Sequence, residues 1–307
     1  MKAVLTHKPA SIYDDLPEER YHFPATYLRQ IERAVGDFIV YYEPGRTGVG
    51  DQARTGRRAY VATAQIAEII DDRARRDHYY ALIEPGSYLL FGRPVPFRDG
   101  SRYYETALQR DDRQTNKGAF GRAVRPLSEA EYEAIVAAGF ATELAALPQT
   151  AAPNRTLPQH PGLTEAPEAF QRSVVERVLS RPVRDAAFAR AVQAAYGATC
   201  AMTGLKIING GGRAEVQAAH IRPVHCQGPD SLRNGVALSA TVHWMFDRGL
   251  VSIGPPPEFR ILTGRGRLPE PMRGLLNPTG RLRLPHDERL RPAPAYLDYH
   301  RTQIFKG

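Results

Sequence analysis

Apolar positions change period along this chain, and that change divides it. In the first 140 residues, short β-rich runs alternate with turn residues: Asp37 to Tyr42, Arg58 to Ala64, His78 to Ile83 and Tyr88 to Phe91. This pattern predicts a compact, mostly β domain. Two helical pieces frame it, near Ala25 to Ala34 and from Ser128 to Ala138. In the second, Ser128 followed three residues later by Glu131 forms a capping box. From about Ala141 to Pro167 the apolar period lapses while Pro148, Pro153, Pro158, Pro161 and Pro167 accumulate, which reads as an extended linker. Beyond it, Phe170, Val174 and Val178, then Phe188, Val192 and Tyr196, recur at helical spacing, with Pro182 between the two helices. A strand from Glu215 to Ile221, a loop to Asn234, a short strand Val236 to Leu238 and a helix from Ala240 to Phe246 follow. Strand, loop, strand, helix is the order of a ββα unit. The expected fold class is therefore α+β, with domains at 1–140 and 168–307 joined by a linker at 141–167.

Bulk composition adds little to this and contradicts none of it. A chain of 307 residues with 42% hydrophobic content has room for two ordinary cores. It shows neither a long apolar run suited to a membrane helix nor an apolar leader, so it reads as a cytoplasmic protein with no membrane partner. A formal charge of +8, carried mostly by arginine, suits a nucleic-acid partner, although charge alone is a weak discriminator. Cys200 and Cys226 are the only cysteines, too few for a disulfide framework or a four-cysteine zinc site, so any bound metal must rely on histidine and carboxylate.

One constellation carries chemistry. His220, Asn234 and His243 stand 14 and 9 residues apart, within Ala219-His220-Ile221-Arg222-Pro223, Arg233-Asn234-Gly235 and His243-Trp244-Met245-Phe246-Asp247-Arg248-Gly249. This resembles the HNH family of ββα-metal nucleases. The resemblance implies that His220 is the general base of phosphodiester hydrolysis, that Asn234 braces the loop and orients that base, and that His243 ligates a divalent metal. Against these stand blander readings: a hydrogen-bonded structural histidine at 220, and an ordinary Asn-Gly turn at 234. Asp247 lies one helical turn beyond His243 on the same face, where the pair can grip one cation. The arrangement is similar to that of the nuclease colicins, with Asp247 in place of a second histidine. An ion pair with Arg248 is the alternative.

The family's metal ligand immediately before the base histidine is replaced here by Ala219, as in a subgroup that reads Ala-His-Ile. Two protein ligands suit a hydrated Mg²⁺ or Mn²⁺ better than a caged Zn²⁺. His225, His286, His300 and both cysteines read as structural, and Trp244 as packing the final helix into the core.

In the N-terminal half, Gly36 to Tyr42 and Tyr60 to Ile66 are similar in pattern to the PUA-like barrels, whose superfamily includes the EVE and SRA readers of modified bases. A flipped base needs an aromatic slot, for which Tyr41, Tyr42 and Phe91 are the candidates; aromatic residues alternating in strands equally build core. Lys117 and Arg122, in a loop expected to be flexible, and Arg222 are candidate DNA contacts.

The resemblance thus implies a modification-dependent restriction endonuclease acting on double-stranded DNA with modified cytosine. The alternatives are an HNH nuclease indifferent to modification and a non-catalytic nucleic-acid reader. With one site per chain, cutting both strands requires a homodimer or sequential nicking.

Overall fold

The computed structural model describes residues 1–8, 13–47, 54–112, 114–146, 178, 180–264 and 268–307. The N-terminal half is built on a seven-stranded sheet. Its strands are β1 (Ala3–Thr6), β2 (Arg20–Pro24), β3 (Phe38–Glu43), β4 (Ala59–Asp71), β5 (His78–Ile83), β6 (Leu89–Pro96) and β7 (Val124–Pro126), in the order β7-β1-β3-β4-β5-β2, with β6 also paired to β4. The β1 and β3 strands run parallel, and the remaining neighbours are antiparallel. At 13 residues, β4 is long enough to change partner on one edge, pairing β6 over Ala59–Thr63 and β5 over Ile66–Asp71. Register shifts at Tyr60/Ala62 and Ile66/Glu68 bend it, as bulges do. Among the described residues the sheet stays open, so the closed PUA-like barrel expected from the pattern is not what these strands form.

Both faces of this sheet are covered, which explains why β3 is buried from Ile39 through Glu43. Successive side chains of a strand point to opposite faces, so the adjacent tyrosines separate. Tyr42 joins a core with Phe91, Tyr132, Ile135 and Phe140, whereas Tyr41 joins one with Tyr21, Phe23 and Tyr88. The first core is roofed by α3 (Glu129–Gly139), which starts at the expected capping box: Ser128 Oγ accepts from Glu131 N, and Glu131 reaches back to Ser128 N. The shorter helices α1 (Leu28–Glu32) and α2 (Lys117–Phe120) lie at the sheet's margins. Residues 116–122 were expected as a flexible loop. They hold α2 instead, capped by Asn116 and anchored by Phe120 against Phe97 at 5.0 Å and Tyr42 at 5.5 Å between ring centroids.

The start of the expected linker is also helical, as α4 (Ala141–Ala146). Positions 147–167, and the helix expected from Glu168 apart from Val178, lie outside the described residues. The next helix, α5 (Arg181–Ala195), begins with Pro182 in its first turn, where a missing N–H costs nothing. It is shared between two cores. Val183 and Ala187 pack with the N-terminal sheet, and Phe188 and Val192 pack with the C-terminal core of Cys200, Val216, Ala219, Val236, Val242 and Phe246.

The C-terminal half realises the predicted ββα order with β8 (Gln217–His220), β9 (Gly235–Leu238) and α6 (Ala240–Asp247). Strands β8 and β9 pair antiparallel with His220 opposite Gly235. A second hairpin (β10, Val251–Ile253, with β11, Ile261–Thr263) and helices α7 (Glu270–Gly274) and α8 (Pro294–Tyr299) complete it. No described helix is long and apolar enough to cross a membrane.

His300 fastens α6 from behind. Its ring stacks on Phe246 at 3.7 Å, Nδ1 meets Ser252 Oγ at 2.8 Å and Nε2 meets Phe246 O at 3.2 Å. Burial pushes its pKa down to about 4. The folded state therefore binds fewer protons than the unfolded chain between about pH 4 and the ordinary histidine value of 6.5, and stability must fall as pH drops through that window. We expect the midpoint of thermal unfolding to fall between pH 7.5 and pH 5, His300 accounting for on the order of 1–2 kcal/mol. A His300→Gln variant, compared by calorimetry at both pH values, should lose that part of the pH dependence.

Candidate active site

His220 closes β8 at the edge of a cleft of about 800 Å³, also lined by Gln217, Phe188, Ile207, Val224 and His243. Its imidazole is fixed on two sides. The ring stacks on Phe188 of α5 with centroids 3.9 Å apart and planes 12° from parallel. Nε2 lies 2.9 Å from Asp230 Oδ1. The other oxygen of Asp230 accepts from Arg184 of α5, at 3.0 Å from Nε and 2.6 Å from Nη2. Burial opposes ionisation of Asp230, but the His220 hydrogen bond and the Arg184 charge outweigh it and hold the carboxyl below its ordinary value. An ionised Asp230 accepts only, so His220 donates to it from Nε2 and Nδ1 is the nitrogen left outside this bond.

The approach of α5 to this histidine depends on Gly235. A Cβ there would lie 2.6 Å from Val192 Cγ2 and 3.1 Å from the Phe188 ring. The segment between the strands is equally tight. Asn234, wholly buried, donates from Nδ2 to Arg222 O at 2.9 Å and Pro229 O at 3.0 Å, and its Oδ1 accepts from Arg222 N at 2.8 Å. Three bonds from one amide thus tie both ends of the loop that carries Asp230. Gly228 permits the closure, because a Cβ at that position would meet Arg222 O at 1.8 Å.

On α6, His243 and Asp247 share a face, with Nε2 and Oδ2 3.5 Å apart. His243 Nδ1 lies 2.8 Å from Gln217 Oε1. A carbonyl oxygen only accepts, so His243 donates to Gln217 from Nδ1 and turns Nε2 toward the Asp247 carboxylate. A ring nitrogen and a carboxylate oxygen so placed are the residues that would hold a divalent cation, and Gln217 stands where an outer partner of such a histidine would. Ala219 is fully buried in the C-terminal core, and among the described residues no group of three or more His, Cys, Asp or Glu side chains is placed to hold a metal ion.

Residues 200–254 match the family model described as HNH endonuclease. This segment is an HNH endonuclease domain. The match contains the whole ββα unit, with His220, Asn234 and His243 inside it. Comparison with curated proteins finds no match for the chain. Among solved structures, a modification-dependent TagI restriction endonuclease is similar at 14% identity over 98% of this chain and 81% of that one, with a TM-score of 0.33. The N-terminal domain of Staphylothermus marinus McrB is similar at 13% identity over 44% of this chain and 92% of its own, with a TM-score of 0.29. The type IV phosphorothioation-dependent restriction endonuclease ScoMcrA is similar at 12% identity over 79% of this chain and 46% of its own, with a TM-score of 0.19. Overall likeness at these TM-scores does not establish a shared fold, and the HNH domain stands on its family match and local geometry.

Other expected site residues fall elsewhere. Tyr42 and Phe91 belong to the helix-covered core and do not line the cavity that Tyr41 faces, because neighbouring strand positions point to opposite faces and Phe91 packs on Phe140 at 5.3 Å. Arg222 has its guanidinium over the Tyr299 ring and donates from Nε to Cys226 O, so it is engaged internally. Lys117 and Arg122 are exposed at α2, free to meet solvent or a polyanion. Trp244 is not core: it is 57% exposed, because Val242, Met245 and Phe246 take the inward face of α6.

Trp244 is the chain's only tryptophan and adjoins His243, so its fluorescence would report a cation held there. Titration with Mn²⁺ should quench its fluorescence. Gln217→Ala should shift the midpoint to roughly 10- to 100-fold higher Mn²⁺, and an unchanged midpoint would remove Gln217 as the outer partner of the metal ligand.

Proposed function

We propose that this protein is a metal-dependent DNA endonuclease in which His220 is the general base and the N-terminal half restricts cutting to DNA carrying modified cytosine. The observation that carries the catalytic part is the Arg184–Asp230–His220 chain, which leaves Nδ1 of a rigidly held imidazole available in the cleft that also contains His243. His220 Nδ1 removes a proton from the attacking water. The resulting imidazolium is stabilised by the Asp230 carboxylate on its other nitrogen, as in any base backed by a buried acid. Asn234 keeps that carboxylate in place by fixing its loop. His243 and Asp247 would hold the cation, whose charge supports the phosphate and the leaving oxygen.

Restriction to modified DNA is favoured by how the halves are joined. Arg233 reaches Glu18 at 3.4 Å, Arg289 reaches Glu43 at 2.9 Å and Tyr296 reaches Glu19 at 3.1 Å, so the N-terminal sheet is docked against the HNH domain. A reader in direct contact with the cutter can govern it.

Matched plasmids that are unmodified, 5-methylcytosine-containing or 5-hydroxymethylcytosine-containing test both parts. With Mg²⁺ or Mn²⁺, cutting should be confined to modified plasmids. His220→Ala should abolish it with DNA binding retained, and Asp230→Asn should slow it by roughly 10²- to 10⁴-fold. Equal cutting of all three plasmids would discard the modified-base reading, and retained cutting by His220→Ala would discard the base.

A further inference from the structure

Where the two halves meet, the structure forms a partly open cavity of about 600 Å³ distinct from the HNH cleft. Its size is that of a small-molecule site. Tyr41, Tyr88, Val61 and Leu90 line it from the N-terminal sheet, and Phe259 lines it from the HNH half. The Tyr41 hydroxyl is buried and has no hydrogen-bond partner among the described residues, although the residue is only 1% exposed. Leaving such a group unpaired is unfavourable, and a ligand atom facing it would relieve that cost.

The charges around this cavity narrow the ligand. Arg233 is turned to Glu18, Arg291 to Glu288 at 3.2 Å, and both Arg57 and Arg289 to Glu43 at 3.5 and 2.9 Å. Each of these guanidinium groups faces a carboxylate, the buried Arg291 Nε alone among them having no hydrogen-bond partner among the described residues, and Lys8 sits exposed at the rim. Walls of this kind favour a neutral, planar ring over a phosphate, while the carboxylates of Glu18 and Glu43 offer acceptors for an exocyclic amino group.

The same cavity touches the catalytic machinery. Ser231, Leu232 and Arg233 line it, and they connect Asp230, which holds His220, to Asn234, which braces the loop. From the opposite side, Leu89, between the wall residues Tyr88 and Leu90, forms a parallel backbone bridge with Asp230 itself. An occupant pressing on either wall acts on Asp230 through a single residue step.

We propose that this interdomain cavity binds a neutral nucleobase, and that the Asp230–Asn234 segment senses its occupant and thereby sets the position of His220. The proposal rests on the nuclease reading for the meaning of His220, but its binding site does not. A base swung out of DNA and a free nucleoside share this chemistry.

The test uses the full chain in EDTA, so that no cleavage is read and a failure of the nuclease reading is separately visible in the plasmid assay. Duplexes with 2-aminopurine opposite or beside 5-methylcytosine, and the free nucleosides cytidine, 5-methylcytidine and adenosine, are titrated against wild type, Tyr41→Phe and Tyr88→Leu. Tyr41→Phe removes only the unpaired hydroxyl, so its melting temperature should be unchanged or higher while affinity falls roughly five- to tenfold. Tyr88→Leu should weaken binding at least as much. A rise in 2-aminopurine fluorescence that these variants reduce assigns the cavity to a base from DNA, and nucleoside binding reduced by them assigns it to a free ligand. Binding to neither, or binding that both variants leave unchanged, overturns the site. In the saturated wild type, the ring ¹H–¹⁵N resonances of His220, identified by their loss in His220→Ala, should shift. Saturation without that shift overturns the coupling.

Discussion

A carboxylate withdrawn from water costs several kcal/mol unless charge and hydrogen bonds replace its hydration, and Asp230 meets that demand with side chains from two separate elements. Arg184 comes from α5 and His220 from the end of β8, while the backbone of Asp230 bridges to Leu89 in β6 of the N-terminal sheet. None of these is near the others in sequence. Satisfying the charge fixes the helix and the nuclease hairpin relative to one another, and the backbone bridge ties them to the sheet. The orientation of the His220 imidazole is a by-product of that requirement.

Around this carboxylate, tight packing does what flexibility could not. Gly235 admits the Phe188 ring, which stacks on one face of His220, and the buried Asn234 amide spends all three of its bonds on the loop that presents Asp230. His243 and Asp247 sit on a different support, α6, held from behind by His300. The two histidines are thus positioned by separate parts of the C-terminal core, and each has its own hydrogen-bond partner: Asp230 for His220, Gln217 for His243.

The ββα unit was legible in the sequence because His220, Asn234 and His243 stand in an order and at spacings that resemble a known family. The family match over residues 200–254 covers the same stretch. Asp230 and Arg184 were not legible, since an aspartate in a loop after Gly-Pro is ordinary turn composition and their meeting spans 46 residues. Gln217 hid for the same reason, as a polar residue at a strand's start. In the N-terminal half the central strands stood out, whereas β1, β2 and β7 did not: each is five residues or fewer, too short to show a period. Tyr41, Tyr42 and Phe91 illustrate a further limit. Burial on both faces makes every position of β3 look alike, and only the alternation of the real strand separates Tyr41 from the other two.

Helix α5 has one further consequence. Within six residues it hands its packing from one core to the other, Val183 and Ala187 to the sheet and Phe188 to the nuclease. A fragment beginning before it would expose Val183 and Ala187, and one beginning after it would take Arg184 from Asp230 and Phe188 from His220. The HNH half is therefore not a cassette: any replacement for the front of this molecule would have to offer Val183 and Ala187 a matching surface without shifting Phe188 off His220.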